Sequence, residues 1–287
     1  MKKLKVKKAK VNRSAFGNFM IIFFLCLLGL FFVLPLYYAI VQSLKPLNEL
    51  WVFPPRFYVI NPTMKNFEDL LTLMSNSTVP FSRYIFNTLL ITIVGTIGQI
   101  IICSMAAYPL AKHKFRGRKG YFKIIETSLM FNATVTAIPT YLIMAKLGWV
   151  DTYLALIIPV FGSTLGVYLM KQFMEQIHDS VLEAAKIDSA SEMRIFWQIV
   201  MPQVKPAWLT LTLFSVQSLW NVGSNNFIYS ENLKTFPYAL AQIVSAGIAR
   251  AGVGSAVTVV MLLFPLVVFI LTQSNVIQTM STSGMKD

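Results

Sequence analysis

The sequence predicts an all-α polytopic membrane protein, and three observations carry that prediction. First, 55% of its 287 residues are hydrophobic and only 13% are charged, about half the roughly 25% charge of soluble domains. Second, several apolar runs exceed the ~18 residues that mark a membrane-crossing helix. Third, the Lys and Arg residues are unevenly placed. Dividing the chain at its apolar runs leaves 18 of the 25 on one side and seven on the other, the asymmetry that orients membrane proteins. Six transmembrane helices with both termini in the cytoplasm satisfy all three. A five-span layout would place either the basic N-terminus or the charged 180–206 segment outside.

Taken in order, residues 1–18 hold seven Lys/Arg and form a cytoplasmic basic N-terminus. The first span runs from Phe19 to Gln42; no small-residue cleavage site follows it, so it is expected to stay uncleaved. Residues 43–82, with five prolines and Trp51 as an interfacial anchor, form an outside loop with little regular structure. The second span, Tyr84–Ala111, ends at the basic loop 112–119, which keeps that loop inside. The third, Ile124–Ala145, contains Pro139 as a kink, and a short outside turn over 146–151 leads to the fourth, Tyr153–Phe173. The fifth takes Ala207–Asn221. A Ser-, Asn- and Gly-rich outside region over 224–254 precedes the sixth, Ala256–Ser274. The spans thus fill residues 19–275, and 276–287 form a cytoplasmic tail.

The segment between spans four and five, about 179–206, mixes charge, Ala and aromatics between otherwise apolar runs. Two S-x-x-E patterns lie in it, Ser180 with Glu183 and Ser189 with Glu192. Each pairs an N-cap hydroxyl with a carboxylate one turn on, so two short helices are expected to meet near Asp188 and Ser189. Pro202 and Pro206 are expected to end the second, since an interior proline loses a hydrogen bond and crowds the preceding turn. A helix pair with so little to bury by itself suits docking. Ile195, Phe196 and Trp197 fit either a partner's groove or this chain's own spans.

Other chemistry is sparse. No phosphate-cradling G-x-x-x-x-G-K-[ST], zinc H-E-x-x-H or nucleophile elbow occurs, so no catalytic residue, bound cofactor or metal is expected of this chain. Cys26 and Cys103 fall in apolar runs without disulfide or metal spacing, and His113 and His178 stand alone in loops. The net charge of +13 sits in short segments beside apolar runs, which argues against nucleic acid. The polar residues within spans are Asn87, Gln99, Asn132, Thr134, Gln217 and Asn221. They serve either as hydrogen-bonding glue between helices or as the wall of a substrate path. Ion-coupled carriers hold charged groups at mid-membrane. Here the spans are nearly free of charge, with Glu126 near the inner end of span three, which favours an externally powered route for an uncharged, hydroxyl-rich solute.

Glu183-Ala184-Ala185, Asp188-Ser189-Ala190 and Ile199-Val200-Met201-Pro202 resemble the EAA loop of ABC importer permeases. The spacing fits throughout, with Ser189 in place of the family's Gly and Met201 in place of its Leu. An N-cap at Ser189 is expected to preserve the bend by a different device. Flanking residues are similar to the maltose-type, binding-protein-dependent sugar permeases. These include Phe53-Pro54-Pro55, Arg83 to Thr88, Ala107 to Ala111, Ile138 to Tyr141, Leu147 to Thr152, Trp220-Asn221 with Phe236-Pro237, and loosely the ending Gly284 to Asp287.

The resemblance implies a transport subunit of the bacterial cytoplasmic membrane that imports a saccharide, expected to be an oligosaccharide. It implies coupling through Glu183, Ala184, Ala185, Asp188, Ser189, Ile199 and Pro202 to a separate ATPase. ATP-Mg would bind to that ATPase and not to this chain. The implied partners are a second homologous permease, two copies of the ATPase, an extracellular sugar-binding protein, the saccharide and membrane lipid. The tail Ser281–Asp287 could also reach the ATPase. The competing readings are a permease for peptides, polyamines or phosphate-containing solutes, a secondary transporter, or a membrane enzyme.

Overall fold

The computed structural model describes residues 15–75, 79–131, 133–222, 227–245, 247 and 250–283, and these form helices without strands. The basic residues 1–14 and the end of the tail, 284–287, lie outside the described residues. Four stretches are long and apolar enough to cross a membrane. They are Phe16–Ser43 within α1 (Ala15–Ser43), all of α4 (Phe81–Lys112), Leu154–Glu175, and Ala251–Gln273 within α14 (Ala251–Ser283). Leu154–Glu175 is two helices in line, α7 (Leu154–Phe161) and α8 (Thr164–Glu175), broken where Ser163 caps α8 by accepting the Gly166 N–H at 3.1 Å.

The third and fifth expected spans are shorter. Residues 118–146 form α5 (Arg118–Ser128) and α6 (Ala133–Lys146) rather than one rod. The 16 residues of α12 (Lys205–Trp220) reach about 24 Å at 1.5 Å per residue.

Helix α4 is the centre of the packing, against α7, α8 and α12. Asn87, Ile91, Cys103 and Ala107 along it are fully enclosed. Gly166 permits the closest approach of α8: a Cβ there would lie 2.7 Å from Cys103 Sγ. Helix α14 packs on α1 and α12, with α1 exposing Phe and Leu side chains around most of its circumference, as suits a lipid or subunit neighbour.

Pro265 lies inside the continuous α14 and leaves the Met261 carbonyl, four residues earlier, without its helical donor. The Trp220 indole N–H supplies one at 3.1 Å, and its ring stacks on Phe264 at 4.1 Å.

The loops at the N-terminal end of α4 are more ordered than expected. The 43–82 connection contains α2 (Leu47–Leu50) and α3 (Lys65–Ser75). Leu70 and Met74, one turn apart on α3, are buried in a cluster with Tyr84, Trp220, Phe236 and Val253. Asn66 donates to the Ser43 and Lys45 carbonyls at 2.8 and 2.7 Å. Its Oδ1 would lie 2.2 Å from a Cβ at position 252, so Gly252 is what lets α14 approach. The region near 224–254 likewise holds a 3₁₀ turn (Glu231–Leu233) and α13 (Phe236–Val244).

Asp151, at φ 61° in the turn ahead of α7, binds the second of these regions. Its carboxylate accepts the Tyr229 and Ser230 N–H groups at 2.9 and 2.8 Å, and the Ser230 hydroxyl.

Candidate functional site

The charged segment folds as α9 (Asp179–Ile187) and α10 (Glu192–Ile195), followed by a π-helical turn (Phe196–Val200) and α11 (Met201–Gln203). Neither expected capping box forms. Helix α9 already begins at Asp179, with His178 at the N-cap position, so Ser180 falls inside the first turn. Ser191 rather than Ser189 caps α10, its hydroxyl accepting the Arg194 N–H at 3.3 Å. Helix α10 therefore starts two residues later than the S-x-x-E spacing suggests.

Ser189 instead closes α9. It adopts φ 57°, and the Ser189 and Ala190 N–H groups reach the Lys186 and Ala185 carbonyls, both at 3.0 Å. This is the left-handed ending that usually takes glycine. The bend thus uses glycine's device at the position where the resemblance expects Gly, with a serine tolerating the strain. Pro202 does not stop the second helix. The chain widens into the π turn just ahead of it and breaks only at Val204, before Pro206 enters the first turn of α12.

Helix α9 presents two faces. Leu182 and Ala185 are buried with Ile195, Phe196, Val200 and Val204 against Tyr108, Ala111, Met170 and Met174. Ile195 and Phe196 therefore pack on this chain's own helices. The opposite stripe, Ser180, Glu183, Ala184 and Ile187, is exposed, with i, i+3, i+4, i+7 spacing that places all four on one face. Ile187 is 83% exposed, and Glu183 has no hydrogen bond or ion pair among the described residues. Val181, Met193 and Trp197 are also exposed. Of the other expected coupling residues, Asp188 and Pro202 are exposed and Ile199 is half-buried against the core.

Polar links tie the element to the end of α4. Lys112, nearly buried, donates to the Asp179 carboxylate at 2.8 Å and to the Ile177 carbonyl. Arg118 bridges the Ala111 carbonyl and Glu175, both at 3.1 Å. Glu192 gathers three partners: the Tyr108 hydroxyl at 2.9 Å, Lys186 at 2.7 Å and His113 at 3.6 Å.

The Lys186 hydrogen bond, aided by Tyr108 and the nearby positive charge, holds the Glu192 carboxyl below its ordinary range against partial desolvation. Lys112 does the same for Asp179. The loop spacing marked Glu192 only as the far end of a capping box, not as the partner of Tyr108, Lys186 and His113, and it did not single out Tyr108, Lys112 or His113. The signal available was weak: a basic stretch ending one apolar run and two carboxylates in another segment.

The polar residues within helices divide. Asn87 is fully enclosed, donating to the Asn232 and Lys234 carbonyls at 2.9 Å and accepting from Tyr153 at 2.7 Å. Gln99 is buried and accepts from Ser215. Both side chains are thus committed within the chain. Gln217 and Asn221 are exposed and line a cavity of about 570 Å³ between α12 and α14, with Phe214, Thr258, Met261 and Phe269. No ionised residue is among the described residues that line it. Asn132 and the Thr134 side chain lie outside the described residues.

The described residues thus form an all-helical bundle with four membrane-length stretches, its central helix bonded to a surface helix pair. The family of binding-protein-dependent transport system inner membrane components matches residues 14–276, and the chain belongs to it. That family is one of transport permease subunits of the bacterial cytoplasmic membrane, not of enzymes.

Protein LplC of Bacillus subtilis (strain 168) is 33% identical over 221 residues, 75% of this chain and 71% of the relative. The sn-glycerol-3-phosphate transport system permease protein UgpE of Yersinia enterocolitica is 31% identical over 185 residues, 64% of this chain and 62% of that one. Among solved structures, a bacterial ABC transporter involved in the import of the acidic polysaccharide alginate matches 91% of this chain and 98% of its own. The TM-score is 0.75 and the identity 25%.

Proposed function

We propose that this chain is the six-span permease of an ATP-driven importer that moves a saccharide into the cell. Both termini and the 179–203 element would face the cytoplasm. The observation that carries the coupling half is α9 itself: one face pinned to the α4 end through Leu182, Ala185 and Lys112, the other offering Glu183, Ala184 and Ile187. Such a helix can neither swing free nor satisfy its outer face alone, so a force applied there is passed to the central span.

Closure of two ATPase subunits upon binding ATP-Mg would draw this element toward its counterpart on a second permease. The helices would follow largely as rigid bodies and open the cavity outward. A binding protein would deliver the solute to the loops around Asp151 and α3.

The saccharide half rests on the α12–α14 cavity. Amide and hydroxyl groups of Gln217, Asn221 and Thr258 beside aromatic and aliphatic walls suit a hydroxyl-rich solute. The glycerol-3-phosphate and alginate systems among the relatives handle acidic polyols. That no cation is among the described residues of this wall favours a neutral one here.

Changing Glu183 to Lys tests the reading. Membrane insertion should persist while uptake is abolished and ATPase co-purification weakens; unchanged uptake would remove Glu183 from the coupling role. Purification of the tagged chain should bring down a second permease and the ATPase. ATP-dependent uptake should be competed by neutral oligosaccharides in preference to acidic ones.

A further inference from the structure

The basic stretch after α4 carries more charge than its ion pairs use. Lys112 and Arg118 are paired with Asp179 and Glu175, and His113 faces Glu192. Lys114, Arg116, Lys119 and Lys123 are exposed and have no ion pair among the described residues. Among and directly after these four cations stand exposed apolar side chains: Phe115 at 42%, Tyr121 at 62% and Ile124 at 65% of full exposure. They occupy the turn at Gly117 and the first two turns of α5, a helix with no buried residue that packs against α8. The segment begins where the membrane-crossing α4 ends and leads into apolar α6.

We propose that residues 114–124 form an interfacial site for the phosphate headgroups of anionic lipids. Cations alternating with an aromatic and an aliphatic anchor suit a surface that is half headgroup and half acyl chain. A site built only for a protein partner would not need Tyr121 and Ile124 exposed on a helix that follows directly on the end of the membrane-crossing α4. The α9 docking stripe is a separate surface built from other residues, so this site stands independently of the ATPase reading. Anionic lipid here would fix the height of α5 and of the Arg118–Glu175 link beneath α4.

The test uses the full-length chain with the subunits that purify with it, reconstituted in phosphatidylcholine containing phosphatidylglycerol. The lipid retained after delipidation is read by native mass spectrometry. The wild type should keep phosphatidylglycerol over phosphatidylcholine. Replacing Lys114, Arg116, Lys119 and Lys123 by Gln, singly and together, should lower that preference about fivefold for each cation removed. The Lys114→Arg and Lys123→Arg variants should keep it.

A measurement without any variant stands beside these. Raising salt shortens the screening length from about 10 Å at 0.1 M to about 3 Å at 1 M and should erode the wild-type preference. Equal retention of both lipids by the wild type, or a preference unchanged in the four-Gln variant, would overturn the proposal and leave the charges an orientation signal. Loss of ATPase with lipid preference intact would assign the surface to the ATPase instead. Displacement of the lipid by millimolar inorganic phosphate would make it a free-anion site.

Discussion

Replacing Glu192 by Ala should uncouple the docking element from the central span without destroying its outer face. Glu192 holds Tyr108, on α4, and Lys186, on α9, from the first turn of α10, so it is where the two docking helices and the spanning helix meet. The three contacts differ in worth. The Lys186 and His113 pairs are about half exposed or nearly so, and such pairs contribute roughly 0.2–1 kcal/mol. The Tyr108 hydroxyl sits on a buried residue and donates to a charged acceptor, a bond worth about 1.5–3 kcal/mol. Losing the carboxylate should therefore cost about 2 kcal/mol, mostly through Tyr108.

The assay has three readouts: thermal unfolding of the purified complex, co-purification of the ATPase, and ATP hydrolysis set against uptake. The account expects a lower melting temperature, retained ATPase binding through Glu183 and Ile187, and hydrolysis that no longer yields proportionate uptake. Glu192→Gln should be milder, because an amide oxygen can still accept from Tyr108. A variant with undiminished stability and full coupling would refute the reasoning.

Ser189→Gly should stabilise the chain by about 1 kcal/mol, because glycine adopts the left-handed ending of α9 without the Cβ penalty; a raised melting temperature checks it, and Ser189→Val should lower it. Trp220→Phe retains the stacking on Phe264 but strips the donor from the Met261 carbonyl that Pro265 leaves unpaired. It should cost about 1–3 kcal/mol, seen as lower thermal stability, with Trp220→Leu costing more. Asp151 has its pKa lowered from the ordinary 3.8 by the Ser230 hydroxyl, then by backbone N–H groups. Its latch should contribute fully above the ordinary carboxylate range and be lost as pH falls through the lowered value. The difference in melting temperature between wild type and Asp151→Ala should therefore be constant at neutral pH and close in acid.

What the sequence revealed and what it hid have physical causes. Apolar length marked the helices around Phe19–Gln42, Tyr84–Ala111, Tyr153–Phe173 and Ala256–Ser274, because burial in lipid requires it and composition records it. The docking segment stood out for the opposite reason, as charge and alanine between apolar runs. The caps were harder. Ser189 and Ser191 both precede Glu192 and both carry a hydroxyl, and only backbone conformation separates a left-handed ending from an N-cap.

Long-range bonds left still less trace. Asn87 looks like any polar residue in a span until Asn232, Lys234 and Tyr153 are brought to it from more than sixty residues away. The proline-rich 43–82 connection reads as irregular because α3 owes its stability to packing on α14, not to its own propensity. Gln217 and Asn221 were legible as path candidates because they are amides on an apolar helix. That they share one cavity depends on how α12 meets α14.

The central claim, that the outer face of α9 is a cytoplasmic surface covered by an ATPase, is tested most directly by a single cysteine at Ile187. The native Cys26 and Cys103 would first be replaced, and a membrane-impermeant thiol reagent applied to right-side-out and inside-out vesicles with and without the ATPase. The account predicts labelling from the cytoplasmic side alone, suppressed when the ATPase is bound. Labelling from the outside, or labelling indifferent to the ATPase, would contradict it.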